Sequence, residues 1–201
     1  MVESTPPTTT VKPDCGPLPA DIVFVLDSSD SEGENNFRIQ TDFVESFARQ
    51  FAIGPNNIQF SLVTFSSVVN NIFWLNTYHG RHSLLAAIHN TSYVGAGTNT
   101  SAALQFVREE SFTTAHGARP NATHVAIVIT DGRSADPTAT AVEARLLHHT
   151  AEVFSIGVGP AVDNAELQSI ASGRHHSFSV NNFKLLHSIQ NQLTNSACAG
   201  R

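Results

Sequence analysis

A chain of 201 residues, 41% hydrophobic and 14% charged, suffices for one domain with a buried core and excludes a disordered polymer. Eleven Lys and Arg against seventeen Asp and Glu leave a formal net charge of −6, with no basic run, which excludes a sequence-independent grip on nucleic acid. No apolar stretch approaches the ~20 residues that a membrane span requires.

Residues 1–19 read as a linker, because the tract from Thr5 to Pro13 is built of Thr and Pro and cannot form a core. The polar start after Met1 carries no signal-peptide pattern, so the chain is expected to be a segment of a larger multidomain protein. One domain is expected over 20–197, followed by a tail at 198–201 that carries Cys198. Residues 21–27 form a short apolar run suited to a buried parallel strand. A helix follows near 35–52, with Phe37, Phe43, Val44, Phe47 and Phe51 along one face. Strands at 57–65 and 68–75 follow closely enough to pair as an antiparallel hairpin. Leu84 to Ile88 lie in a short helix, and a Gly-rich loop at 95–99 opens a helix near 99–112. The second strongly apolar strand is 123–130. A helix near 137–149, a strand at 152–158, a helix near 163–172, a strand at 176–180 and a helix near 182–194 complete the series.

Repeated strand–helix units predict an α/β fold: a Rossmann-like, doubly wound, mostly parallel six-stranded sheet with one antiparallel edge strand and helices on both faces. Ligands of such sheets bind beyond the carboxyl ends of the strands. The two apolar strands end there in acidic residues, Asp27 and Asp131. After the first strand the sequence runs Asp27, Ser28, Ser29, Asp30, Ser31, so alternate positions offer one carboxylate and two hydroxyls. The Gly-rich loop delivers Thr98 at the start of its helix, where it can also serve as N-cap. Asp27, Ser29, Ser31, Thr98 and Asp131 are all oxygen donors. Such a set suits Mg²⁺, with Mn²⁺ or Ca²⁺ as alternatives, and disfavours zinc. The ten histidines show no compact HExxH-type spacing. Asp30, between the serines, is expected to face solvent.

Asp27-x-Ser29-x-Ser31, Thr98 in the Gly-rich segment and Asp131 before Gly132 together resemble the von Willebrand factor type A domain over roughly residues 20–195. The resemblance implies a metal-ion-dependent adhesion site. Ser29 and Ser31 are then direct ligands, Thr98 a direct or water-bridged one, and Asp27 and Asp131 carboxylates of the outer sphere or of a switch. Phe65 to Ser67 and Tyr93 to Thr100 resemble matrilin and collagen-type members. One departure is the short span Pro160 to Asp163, where collagen-binding integrin domains carry an extra helix.

Cys15 and Cys198 sit near opposite ends of the chain. A bridge between them is expected, two free thiols being the alternative, and the pair resembles the end-to-end bridge of extracellular members. Sequons at Asn90, Asn99 and Asn121 agree with a secreted setting. Asn121 and Asn90 are the expected glycosylation sites, whereas Asn99 adjoins the cation loop. The expected role is an extracellular, non-enzymatic adhesion or matrix-assembly module that captures an acidic group of a protein partner, collagen or another matrix protein. The alternative is a structural spacer or glue of an extracellular fibre or mineralised matrix. Neither an activated nucleophile nor a GxxxxGK[ST] phosphate loop is apparent.

Overall fold

The computed structural model describes residues 19–199, with side chains through residue 195. The tract before residue 19 and the Cys15–Cys198 pairing lie outside the described residues. The elements run β1 (Ala20–Asp27), α1 (Gly33–Ala48), β2 (Ile58–Phe65), β3 (Val69–Phe73), α2 (Arg81–His89), α3 (Thr100–Phe106), β4 (Thr123–Thr130), α4 (Pro137–Leu147), β5 (Glu152–Val158), α5 (Asn164–Ile170), β6 (Ser177–Val180) and α6 (Leu186–Ala199). They build the expected six-stranded sheet, in the order β3-β2-β1-β4-β5-β6. All neighbours are parallel except β2 and β3, and β3 is the antiparallel edge.

Period-two alternation sorts the strand residues onto two cores. Ile22, Phe24 and Leu26 of β1 point to one face, with Phe37, Phe43 and Phe47 of α1, Leu84 and Ile88 of α2, and Leu186 and Leu193 of α6. Val23 and Val25 point to the other, with Ala103 and Leu104 of α3, Ala144 and Leu147 of α4, and Ile170 of α5. β1 and β4 lie at the centre of the sheet, covered on both sides. That position explains why their sequences are continuous apolar runs. Phe24 meets Phe47 edge-on at 5.4 Å between ring centroids, and Phe51 lies 5.0 Å beyond Phe47.

Three helices differ from the sequence reading, the closing one, expected near 182–194, being a 3-10 turn at Phe183–Leu185 followed by α6 at Leu186–Ala199. The first ends at Ala48, and Phe51 packs from the turn beyond it. The span expected as one helix over 99–112 is α3 followed by a π-helical turn, Val107–Ser111. There the Phe112 amide donates to the Val107 carbonyl at 3.2 Å, and the Phe112 ring stacks on His124 at 4.9 Å. The extra residue in the turn seats Phe112 under the sheet, which helical periodicity alone does not reveal.

α6 returns along α1. Ser46 donates to Gln190 at 3.1 Å, and Thr194 to Gln50 at 3.4 Å. The described chain therefore enters at Pro19 and leaves at Ala199 on the amino-end side of the strands, opposite Asp27 and Asp131. At that base, the fully buried Asp21 accepts from the Arg119 amide at 2.7 Å and from its Nε at 2.8 Å. Arg119 also caps the Ala20, Pro55 and Asn57 carbonyls. No helix among the described residues is long and apolar enough to cross a membrane.

Candidate functional site

Three loops meet at the carboxyl ends of β1 and β4. The β1 loop is bonded to the Gly-rich loop through its main chain: Gly95 N donates to Ser28 O at 2.9 Å, and Asp30 N to Ala96 O at 2.8 Å. Val94 N donates to Ser28 Oγ at 2.9 Å, and the Tyr93 hydroxyl to Ser29 O at 3.0 Å. The Gly-rich loop turns through positive φ at Gly95 (82°) and Ala96 (81°). A Cβ on Gly95 would sit 2.8 Å from Asp30 Oδ1, so the position requires glycine twice over. Asp30 is exposed, as expected. Its carboxylate is nonetheless engaged, accepting the Ala96 amide at 2.8 Å and fixing the loop.

Asp27 is fully buried, and both its oxygens are occupied. Oδ1 accepts the Ser29 amide at 2.9 Å, and Oδ2 accepts the Thr130 hydroxyl at 2.6 Å. Asp27 thus shapes the loop and ties it to β4. Ser29 Oγ and Ser31 Oγ lie 3.1 Å apart, and Ser31 Oγ donates to Asp131 Oδ1 at 2.9 Å. Four of the five expected residues are joined in one chain of contacts. Thr98 comes in through its main chain, its carbonyl accepting Ala135 N at 2.9 Å from the Asp131 loop. The N-cap of α3 is Asn99, not Thr98. The Asn99 side chain accepts Ala102 N at 3.2 Å and the Ser101 hydroxyl at 3.1 Å. The Thr98 hydroxyl is therefore not committed to the helix end. The loop after Asp131 is fastened to α5, where the buried Glu166 accepts Ser134 N at 3.2 Å and Asp163 pairs with Arg133.

Glu32 was not singled out by sequence. It is 2% exposed, and burial, with the charges of Asp27 and Asp131, pushes its carboxyl up to about 10. Gln40, fully buried in α1, donates through Nε2 to Glu32 Oε1 and, at 3.1 Å, to the Asp27 carbonyl. Gln40 was also not singled out, although a polar residue in the stripe of Phe37, Thr41 and Val44 is a signal that could have found it. Glu32 carries no local signal beyond that of an acid close to a helix start. Burial also raises Asp27 and Asp131.

The donor set fits a hard divalent cation. Metal–oxygen bonds of 2.0–2.1 Å in an octahedron put adjacent oxygens about 3 Å apart, the spacing of the Ser29, Ser31 and Asp131 oxygens. Among the described residues, no Lys or Arg pairs with Asp27, Glu32 or Asp131. Among the described residues, the carboxylates of Asp27 and Asp131 thus have no protein counter-ion, while the buried Glu32 carboxyl holds its proton at neutral pH. A separate group, Asp42, Glu45 and His89, brings ligand atoms within 4.8 Å on α1 and α2, but Glu45 is already paired with Arg49 at 3.0 Å. Of the sequon asparagines, Asn90 and Asn121 are exposed and Asn99 is half-buried.

Comparison with known proteins adds three findings. The family model described as von Willebrand factor type A domain matches residues 21–192. Collagen alpha-1(XX) chain of Mus musculus is 42% identical over 157 residues, 78% of this chain and 12% of its own length. Matrilin-1 of Homo sapiens is 37% identical over 186 residues, 91% of this chain and 37% of its own. The chain thus spans well under half the length of either relative. Among solved structures, proximal thread matrix protein 1 from the mussel byssus, described with a zinc occupied MIDAS motif, matches with a TM-score of 0.85 at 28% identity, over 90% of this chain and 48% of that one.

Proposed function

Because the chain belongs to the von Willebrand factor type A family, we propose that it is an extracellular, non-enzymatic adhesion module that captures an acidic group of a matrix protein through a divalent cation. One observation carries the reading: the linked oxygens of Ser29, Ser31 and Asp131 at the carboxyl ends of β1 and β4, with no Lys or Arg paired to them among the described residues. Ser29, Ser31, Thr98 and Asp131 would hold the cation, and Asp27 would orient the loop through Ser29 and Thr130. A bound cation supplies an electrophilic position that an external carboxylate can occupy. Mg²⁺ suits hard oxygens best, with Mn²⁺ and Ca²⁺ as alternatives. The zinc-occupied motif of the byssal protein supports including Zn²⁺ in the test. The similarity to collagen and matrilin chains supports a matrix partner, collagen among the first to try.

Titration calorimetry with Mg²⁺, Mn²⁺ and Zn²⁺ tests the cation. Heat that is present in wild type and absent in Asp27→Ala and in Ser29→Ala/Ser31→Ala supports the reading, and no difference between them refutes it. Adhesion to immobilised collagen and matrilin, with and without EDTA, tests the bridge. A second reading is a structural spacer or glue in an extracellular fibre or mineralised matrix, favoured by the likeness to a byssal thread protein. It expects Ser29→Ala/Ser31→Ala protein to retain fibre binding. To the same setting we assign a Cys15–Cys198 bridge, glycans at Asn121 and Asn90, and a multidomain host.

A further inference from the structure

The Asp131 loop is held from two sides. Toward the Gly-rich loop, Ala135 N donates to Thr98 O at 2.9 Å. Toward α5, Ser134 N donates to the two carboxyl oxygens of Glu166, at 3.2 and 3.4 Å. The Ser134 hydroxyl is buried and has no partner among the described residues, so the contact is made by the amide. Glu166 is the single carboxylate of α5 and is 9% exposed, and among the described residues Ser134 N is its only donor. A buried carboxylate with one donor weakens a fold more than it strengthens it, which points to work done on the loop. The helix that carries it is firmly seated. Leu167 and Ile170 are buried, and the Ser155 hydroxyl of β5 donates to the Leu167 carbonyl at 2.8 Å. Gly157 of β5 leaves room for the Leu167 side chain, into which a Cβ would run. The central sheet thus fixes α5, and α5 fixes the loop that Asp131 opens.

Resting on the cation-site reading above, we propose that Glu166 is a positioning residue that sets the cation selectivity of the site: through Ser134 N it holds Asp131 where Mg²⁺ needs it, and so favours Mg²⁺ over Ca²⁺. Mg²⁺ demands a near-ideal octahedron with bonds of about 2.0–2.1 Å, whereas Ca²⁺ accepts flexible arrangements at about 2.3–2.6 Å. Adjacent ligand oxygens therefore stand about 2.9 Å apart on Mg²⁺ and about 3.4 Å apart on Ca²⁺. Ser31 Oγ and Asp131 Oδ1 are 2.9 Å apart, and Ser29 Oγ and Ser31 Oγ 3.1 Å, the narrower spacing. A loop released from α5 lets Asp131 move outward. That movement loosens a bond to the smaller ion and costs the larger one little.

The test titrates the full chain with Mg²⁺, and with Ca²⁺ alone and in competition with Mg²⁺, by calorimetry, for wild type, Glu166→Ala, Glu166→Gln and Ser134→Ala. Amide hydrogen exchange in EDTA reads the loop without any metal. Glu166→Ala is expected to weaken Mg²⁺ about 10-fold and Ca²⁺ less than about twofold. Glu166→Gln keeps a carbonyl oxygen for Ser134 N, and Ser134→Ala keeps the amide, so both are expected to hold the ratio of the two affinities within about twofold of wild type. In EDTA the Ser134 amide is expected to exchange about 10-fold faster in Glu166→Ala, with the Ala135 amide, bonded to Thr98, unchanged. If Glu166→Ala shows no thermal transition, Glu166→Asp, a methylene too short to reach Ser134 N, takes its place with the same expectations. Wild type that prefers Ca²⁺, an affinity ratio unmoved by Glu166→Ala, or Ser134 exchange unmoved by it overturns the positioning role and leaves the cation site standing. So does a ratio that falls as far in Glu166→Gln as in Glu166→Ala, which would assign the effect to charge. Absence of Mg²⁺ heat in wild type overturns the cation site and the selectivity with it.

Discussion

Glu32 shows what a single side chain can cost when function places it. Its carboxyl, held at about 10 by burial and by Asp27 and Asp131, takes up a proton on folding at neutral pH, where the unfolded chain is ionised. The folded value lies above the unfolded one. The contribution to stability is therefore fully present below pH about 4.5 and is lost as pH rises toward 10. Glu32→Gln removes this titration while keeping the shape and the contact with Gln40. Thermal unfolding in EDTA at pH 8 should show the variant more stable than wild type by about 1–3 kcal/mol, with the difference shrinking at pH 5. A variant equally or less stable at pH 8 would show that Glu32 is ionised and already compensated. Of the candidate site, Asp27, Ser29 and Ser31 were readable as a group because they alternate after the end of β1, and Asp131 because it follows the other apolar strand. Glu32 was hidden because its importance arises from burial under α1, which no local pattern encodes.

Among the elements, β1 is held at both ends. At its carboxyl end, Asp27 bonds to Thr130 of β4. At its amino end, Asp21 accepts the amide and the Nε–H of Arg119, and the guanidinium goes on to three carbonyls. Arg119→Ala would remove the guanidinium from a fully buried carboxylate and leave it the main-chain amide of residue 119 and His124 Nε2 at 3.6 Å, a change that costs about 3 kcal/mol. Arg119→Ala/Asp21→Asn should recover part of the loss, as read by chemical denaturation. A loss below about 1 kcal/mol in the single variant would show that solvent reaches Asp21 instead. Continuous apolar runs identified β1 and β4 as buried parallel strands, and the short spacing after β2 identified the hairpin. Helix ends were less legible. The π-helical turn after α3 depends on Phe112 reaching His124, a contact between residues remote in sequence, and the N-cap passed to Asn99 because Thr98 turns its main chain to Ala135.

At the scale of the whole molecule, the cation reading makes stability depend on ligand concentration. A cation that binds only the folded chain adds about 2.7 kcal/mol at a hundred times its dissociation constant, or roughly 5–10 °C in Tm for a domain of this size. Differential scanning calorimetry should show that rise with Mg²⁺ in wild type and not in Ser31→Ala; an equal rise in both would place the ion elsewhere. The doubly wound architecture itself was legible from strand–helix alternation, whereas the fastening of the Asp131 loop to α5 was not, since Ser134 and Glu166 are remote in sequence. Both described ends of the chain lie at the base of the sheet, on the side away from the cation loops. In a protein with modules on either side, the domain would hang as a pendant, with its gripping surface turned outward. Tension carried from one neighbour to the next would run across the base, past the Asp21–Arg119 clamp, and spare the three loops that do the holding.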